Sequence, residues 1–194
     1  VKAAEWYSKA AEQGHASAQY NLGYMHHYGE GVSQDYAKAA EWYRKAAEKG
    51  DAHAQYALGV MYYDGKGVSQ DYTKAAEWYR KAAVQGNANA QYNLGVMYKN
   101  GEGVSKDFTK AAEWFQKAAE QGNAKAQYKL GIMYDTGKGI SQNYVKAAEW
   151  YSKAAEQGNA SAQCNLGVMY YTGNGVSQDY AKATEWYRKA AEQG

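Results

Sequence analysis

The chain has 194 residues, with 22 basic and 20 acidic side chains and a formal charge of +2. That balance gives no general attraction to nucleic acid. No stretch approaches the ~18 apolar residues of a membrane span, so no direct membrane insertion is expected, and a single cysteine, Cys164, excludes an internal disulfide framework.

A fixed period organises the sequence. The stretch GEGVSQDYAKAAEWYRKAAEKG from Gly29 returns in near-copies from Gly65, Gly101, Gly137 and Gly173, so the period is 36 residues. Repeat chains grow by stacking units that are each too small to bury their apolar side alone. The reading is one array over residues 1–194. It has a trailing helix of a partial repeat at 1–14, then units at 15–50, 51–86, 87–122, 123–158 and 159–194. The opening VKAAEWYSKAAEQG copies the last part of a unit and is unlike a signal peptide. The chain is therefore expected to start inside a larger array, and its compartment is not written in it.

Residues 1–13 read as an unpaired second helix. In the unit 15–50 a first helix is predicted over 16–28, ASAQYNLGYMHHY, from apolar residues at helical spacing. A second is predicted over 34–49, QDYAKAAEWYRKAAEK, with Ala39, Trp42, Tyr43, Ala46 and Ala47 as its apolar stripe. The same two segments recur in each later unit, which gives eleven helices. Gly14, Gly50, Gly86, Gly122 and Gly158 close the second helices, and Gly194 closes the chain. Asp51, Asn87, Asn123 and Asn159 are the expected N-caps of first helices; His15 takes that place once and should cap poorly. Ser33 is the expected N-cap of the second helix, with Asp35 in its first turn and Val32 as a staple.

Gly23 and its copies Gly59, Gly95, Gly131 and Gly167 lie mid-helix, where glycine costs about 1 kcal/mol against alanine. The repetition points to close approach of a neighbouring helix. Met25 and its copies read as core filler. Each of Trp6, Trp42, Trp78, Trp114, Trp150 and Trp186 is expected between helices of its own and the adjoining unit. Glu41 and Lys45 form an i,i+4 pair in the favourable order, on a solvated outer face. Cys164 replaces the tyrosine of other units and reads as a partly buried, inert thiol.

The motif AQYNLG…GEGVSQDYAKAAEWYRKAAEKG resembles the Sel1-like repeat family, close kin of the tetratricopeptide helical repeats. The resemblance rests on Ala18, Gln19, Leu22, Gly23, Gly29, Gly31, Val32, Asp35, Lys38, Ala39, Trp42, Tyr43, Ala46, Ala47 and Gly50, with His26 where the other units have tyrosine. It recurs five times and covers the chain. Together, periodicity and resemblance give the expected fold class: all-α, a right-handed α/α superhelical solenoid of antiparallel helix pairs with a 36-residue period. The family resemblance implies a scaffold or adaptor for proteins or peptides. It also implies that the first helices line a concave surface. Some secreted bacterial members hold each unit with a disulfide, from which this chain departs. The uniform units equally resemble a consensus-designed or recently duplicated array.

Residues that serve the fold repeat, and residues that bind should vary. The first helices vary more than the second. One variable slot reads Ser17, His53, Asn89, Lys125 and Ser161; another reads Asn21, Ala57, Asn93, Lys129 and Asn165. These lie four apart and share a helix face. Tyr20, Tyr56 and Tyr24 stand beside them, and His27, Tyr63, Lys99, Asp135 and Tyr171, with Tyr28, lie near the helix end. These residues are the predicted protein-binding positions, since aromatics supply area and amides bond an extended backbone. Asn21, Asn93 and Asn165 resemble the groove asparagines of peptide-binding tetratricopeptide arrays.

No enzyme chemistry is written in the chain. His26 and His27 are adjacent and point about 100° apart on a helix, unlike an i,i+4 metal pair. Cys164 is far from every histidine, all of which precede Gly65. The G-x-G follows a helix and occurs five times, unlike a phosphate loop. The middle units carry Lys99, Lys106, Lys110, Lys117, Lys125, Lys129 and Lys138 with acids interspersed, which allows a local preference for an acidic partner. No nucleic-acid motif accompanies these lysines, and no cofactor and no metal are expected. Two other readings stand beside the scaffold: a structural array without an evolved ligand, and self-association through terminal repeats whose Trp6 and Trp186 look like interior copies.

Overall fold

The computed structural model describes residues 2–193, with side chains from Glu5 onward. Val1 and Gly194, assigned above to the first helix and to the closing turn, lie outside the described residues. Among the described residues there are eleven α-helices and no strand. After α1 (Lys2–Glu12) come five helix pairs. The first helices are α2 (Ala16–Tyr28), α4 (Ala52–Asp64), α6 (Ala88–Asn100), α8 (Ala124–Thr136) and α10 (Ala160–Thr172). The second helices are α3 (Tyr36–Glu48), α5 (Tyr72–Val84), α7 (Phe108–Glu120), α9 (Tyr144–Glu156) and α11 (Tyr180–Ala191).

The first helices begin and end where the pattern places them. Asp51 accepts from the Ala54 N–H at 2.8 Å, and Asn87, Asn123 and Asn159 cap in the same way. His15 makes no side-chain cap bond. The helices end on left-handed glycines such as Gly29, whose N–H donates to the Met25 carbonyl.

The second helices start two residues later than predicted. Asp35, not Ser33, is the N-cap of α3, accepting from the Lys38 N–H at 3.0 Å in extended backbone. The Asp35 N–H itself returns to the His26 carbonyl at 2.8 Å, which pins this residue outside the helix and closes the loop. A carboxylate also suits the positive helix end better than a hydroxyl. Val32 is half-buried but is no staple to Ser33; its copy Val68 packs on the core of the neighbouring hairpin.

The described chain divides into two compact units. The first holds residues through Met97 with Gly101–Ser105; the second holds Tyr98–Asn100 and the chain from Lys106 onward. In the first, α3 and α4 share a core of Ala39, Ala40, Tyr43, Ala46, Ala47, Ala54, Leu58 and Met61, and Trp78 of α5 leans on it. Trp42 covers Ala11, Ala18 and Leu22 likewise. The second unit repeats this arrangement with Tyr151, Leu166 and Met169 in the core and Trp186 against it. Trp42, Trp78 and Trp186 thus pack between their own hairpin and the helix before it, as expected of them. Trp6 is 70% exposed, since no described helix precedes α1. The lysine three residues on stacks over the indole: Lys45 lies 4.0 Å from the Trp42 ring. The expected Glu41–Lys45 pair does not form among the described residues, whereas Lys189 reaches both Trp186 and, at 2.7 Å, Glu185.

The repeated glycines have steric causes. A Cβ on Gly59 would stand 2.7 Å from the Tyr79 ring, so the small residue lets the two helices of a hairpin meet. A Cβ on Gly67 would fall on the Tyr36 carbonyl. The second glycine of G-x-G therefore seats one loop on the start of the preceding second helix. It is a stacking contact and not a phosphate cradle.

Candidate functional site

The predicted binding residues stand on the first helices, which present one face partly to solvent while the opposite side carries the hairpin core. Ser17, His53 and Asn89 in the first unit are exposed, as are Lys125 and Ser161 in the second. Asn21, Asn93, Lys129 and Asn165 lie one turn on and are half-buried. The Asn93 amide faces the Tyr56 and Tyr79 hydroxyls and the Asn165 amide that of Tyr151, each working against the effect of burial on those phenols. These amides thus stand against the tyrosines of the preceding hairpin and not wholly free in solvent.

Tyrosines line the same face. Tyr20 lies 5.7 Å from Tyr43 and 5.9 Å from His53, and Tyr56 lies 5.9 Å from Tyr79. Tyr24 contacts Tyr28 at 4.5 Å, and Tyr28 remains 58% exposed. Burial raises the hydroxyls of Tyr43, Tyr79 and Tyr151 far above the usual phenol range. Near the helix end, His27 packs edge-on against Tyr36 at 5.2 Å. Its pKa is lowered, first by burial and then by the Lys66 ammonium. Its Nδ1 is buried without a partner among the described residues. Tyr63 donates to Glu102 at 2.9 Å, and burial together with that carboxylate pushes its hydroxyl up to about 12. In the second unit Tyr151 donates to Asp135 at 3.4 Å, and Tyr171 leans on Tyr180 at 5.3 Å while 56% exposed.

Cys164 departs from its expected burial: the thiol is exposed. The tyrosine it replaces stays half-covered by reaching across to the ring on the second helix, as Tyr128 reaches Tyr151 at 6.0 Å. A cysteine side chain is too short for that.

The sequence reading missed a niche between successive hairpins. In the first unit Tyr63, Tyr79, Tyr92, Asn93 and Val96 surround about 140 Å³. In the second unit a cavity of about 570 Å³ is lined by Lys99, Lys106, Lys129, Lys138, Phe108, Phe115, Ile132 and Met133, with Asn100 and Thr136. Of these only Lys99 and Lys129 stood among the predicted positions. The available signal was that the chain's two phenylalanines fall in one repeat. Among the described residues no His, Cys, Asp and Glu group could hold a metal, and no helix is long and apolar enough to cross a membrane.

Comparison with known proteins agrees with this geometry. The Sel1 repeat profile matches residues 1–15, 16–51, 52–87, 88–123, 124–159 and 160–194. No curated protein matches the chain in sequence. Among solved structures, c5321, described as a protective antigen present in uropathogenic Escherichia coli strains and displaying an SLR fold, is 46% identical with a TM-score of 0.95. The match covers 98% of this chain and 41% of that one, so the chain spans about two fifths of its length. A Sel1 repeat protein from Oxalobacter formigenes is 37% identical over 94% of this chain and 72% of its own, with a TM-score of 0.87. Helicobacter pylori cysteine rich protein B is 29% identical over 66% of this chain and 92% of its own, with a TM-score of 0.53. With repeat profile, helix pairing and close structural relatives in agreement, this chain belongs to the Sel1 repeat family.

Proposed function

We propose that the chain is a scaffold that binds segments of partner proteins on the open face of its first helices. Sel1 repeats generally serve protein interaction. The observation that carries the reading is an asymmetry within every hairpin. The seam built from the second helices hardly changes between repeats, while the first-helix face stays open and varies. Ser17, Tyr20, Asn21, Tyr24, Tyr28, His53 and Asn89 make that face in the first unit, and Lys125, Lys129, Ser161, Asn165 and Tyr171 make it in the second. Exposed tyrosines supply rigid contact area at low entropic cost, and polar neighbours bond a peptide backbone.

The test is selection of peptides from a displayed library on the intact chain, followed by rebinding to two variants. Ser17→Arg with Asn89→Arg and Ser161→Arg blocks the open face; Glu41→Arg with Glu113→Arg alters the outer face. Loss of binding only in the first variant supports the reading. Equal binding to the first variant, or loss only in the second, overturns it.

A second reading is self-association of the 194-residue chain, favoured by the 70% exposure of Trp6. Light scattering over a concentration range tests it. A mass that rises with concentration and reverts in Trp6→Ser supports it, and a constant monomeric mass ends it.

A further inference from the structure

The large niche of the second unit differs from its counterpart in the first by a concerted set of replacements. In the first unit three internal pairings close the niche. Tyr63 donates to Glu102 at 2.9 Å, the Asn93 amide faces the Tyr79 hydroxyl across the niche, and Gln70 donates to the Tyr63 carbonyl at 2.8 Å and to the Tyr72 hydroxyl at 3.1 Å. One period later, Tyr63 and Glu102 are replaced by Lys99 and Lys138, and Asn93 and Tyr79 by Lys129 and Phe115. Gln70 and Tyr72 are replaced by Lys106 and Phe108. Both side chains of every pair change, so the links from one side chain to another cannot form. The space grows from about 140 to about 570 Å³. That is within the range of about 300–1,000 Å³ typical of ligand sites.

Four ammonium groups now line one cavity without an acid on its wall. None of the four forms an ion pair among the described residues. Lys106 and Lys138 lie over the Phe108 ring, 5.3 and 5.0 Å from its centroid. Lys129 is half-buried, and burial followed by repulsion from Lys99 lowers its pKa. Like charges gathered over a dry floor destabilise the chain alone and are relieved by an anion. The floor itself, Phe115, Met133 and Ile132, asks for an apolar group.

We propose that this niche is an anion-accepting pocket that receives a partner segment carrying carboxylates on both sides of an apolar side chain. The apolar group sits on Phe108, Phe115 and Ile132, and the flanking carboxylates meet Lys99, Lys106, Lys129 and Lys138. A free phosphate would satisfy the charge and leave the apolar floor wet; an extended acidic segment satisfies both. The inference deepens the scaffold reading and rests on it, since Lys99 and Lys129 stand on first helices and Lys106 and Lys138 on the loops beside them.

The test is fluorescence anisotropy with a labelled pentapeptide of two glutamates on each side of a leucine, at low ionic strength. Lys129→Asn, which installs the residue found in three other repeats, is combined with Lys138→Glu. This pair is expected to weaken binding at least tenfold. A charge-matched control on the outer face, Lys117→Asn with Lys153→Glu, should change it less than twofold. The glutamine version of the peptide should not bind. Thermal melts by circular dichroism establish that both variants are folded. Equal weakening by the two pairs means diffuse attraction and overturns the pocket. Pyrophosphate or a short thymidine oligonucleotide binding there more tightly than the peptide overturns the assignment to an acidic segment. Library peptides that need the open face but ignore the pocket pair leave the scaffold standing and remove the pocket. Dependence on the pocket pair alone keeps the pocket and removes the wider face.

Discussion

Gln85 donates its Nε2 to Gln55 Oε1 at 2.8 Å, and Gln55 in turn donates to the Ala47 carbonyl at 3.1 Å. The second unit builds the same chain through Gln157 and Gln127 and through Gln193 and Gln163. A buried glutamine thus ties a first helix to the end of the helix before it, and the end of the second helix of its own hairpin satisfies its oxygen. One link is missing. Lys49 stands where Gln85 stands one period later; it donates to the Gly14 carbonyl, as Gln85 does to that of Gly50, but makes no bond to Gln19. The Gln19 Oε1 is left buried without a partner among the described residues.

Lys49→Gln is therefore expected to stabilise the chain by about 1 kcal/mol, the net worth of satisfying a buried acceptor. Urea denaturation monitored by tryptophan fluorescence measures it; no gain would mean that Gln19 is already satisfied by solvent. Gln55→Ala should act in the opposite sense, costing about 1–3 kcal/mol, because the Gln85 amide and Ala47 carbonyl lose their partner.

Gly59→Ala sets two effects against each other. Helix propensity favours alanine by about 1 kcal/mol. The new methyl would stand 2.7 Å from the rigid Tyr79 ring, which is 2% exposed and cannot swing away. Overpacking costs about 1–3 kcal/mol and should win. The readout is a lower thermal midpoint for Gly59→Ala; an unchanged or raised midpoint would show that the hairpin opens at little cost.

Removing a cap separates the two candidates for the start of the second helix. Asp71→Ala should cost about 1 kcal/mol, whereas Ser69→Ala should change stability by only a few tenths. Asp71 caps through the Lys74 N–H at 3.0 Å, and Ser69 is exposed. Equal losses in chemical denaturation would return the cap to the serine. The Asp71 carboxyl is held below its usual pKa, first by that backbone N–H. Its contribution is present at neutral pH and fades as pH falls through the depressed value.

His27 makes the first unit pH-sensitive. Its folded pKa lies below the unfolded value of 6.5 because burial disfavours the imidazolium. The unfolded state binds the proton more readily, so stability is full above pH ~6.5 and falls as the pH drops below it. His27→Tyr, the residue at this slot in Tyr63 and Tyr171, should flatten stability between pH 7 and 5. An identical pH profile for the two proteins would show that His27 is protonated at no cost.

Helix positions were legible because period and pattern coincide: Leu22, Met25, Tyr43 and Ala46 recur on one face in every copy, and the mid-helix glycines announced a close contact. The start of the second helix was misplaced because Ser33 and Asp35 both cap well. Only the bond from the Asp35 N–H back to His26 decides between them. Lys45 was assigned to Glu41 because spacing alone cannot show that its ammonium stacks on the indole of Trp42. The buried glutamines were visible as an unbroken repeat, but an uncharged polar residue on a helix gives no sign of burial. The lysine enrichment of the middle units was visible in the sequence, but the niche was not. Its walls come from α6, α7, α8 and two loops, and only packing brings Lys99, Lys106, Lys129 and Lys138 around Phe108 and Phe115.

Amide hydrogen exchange of the chain, free and saturated with a library-selected peptide, tests the central claim most directly. The scaffold account predicts slowed exchange in first helices and their exits, such as α4, α6, α8 and α10, with α5, α7 and α9 unchanged along their outer faces. Protection confined to the second helices, or no protection at saturating peptide, would contradict it.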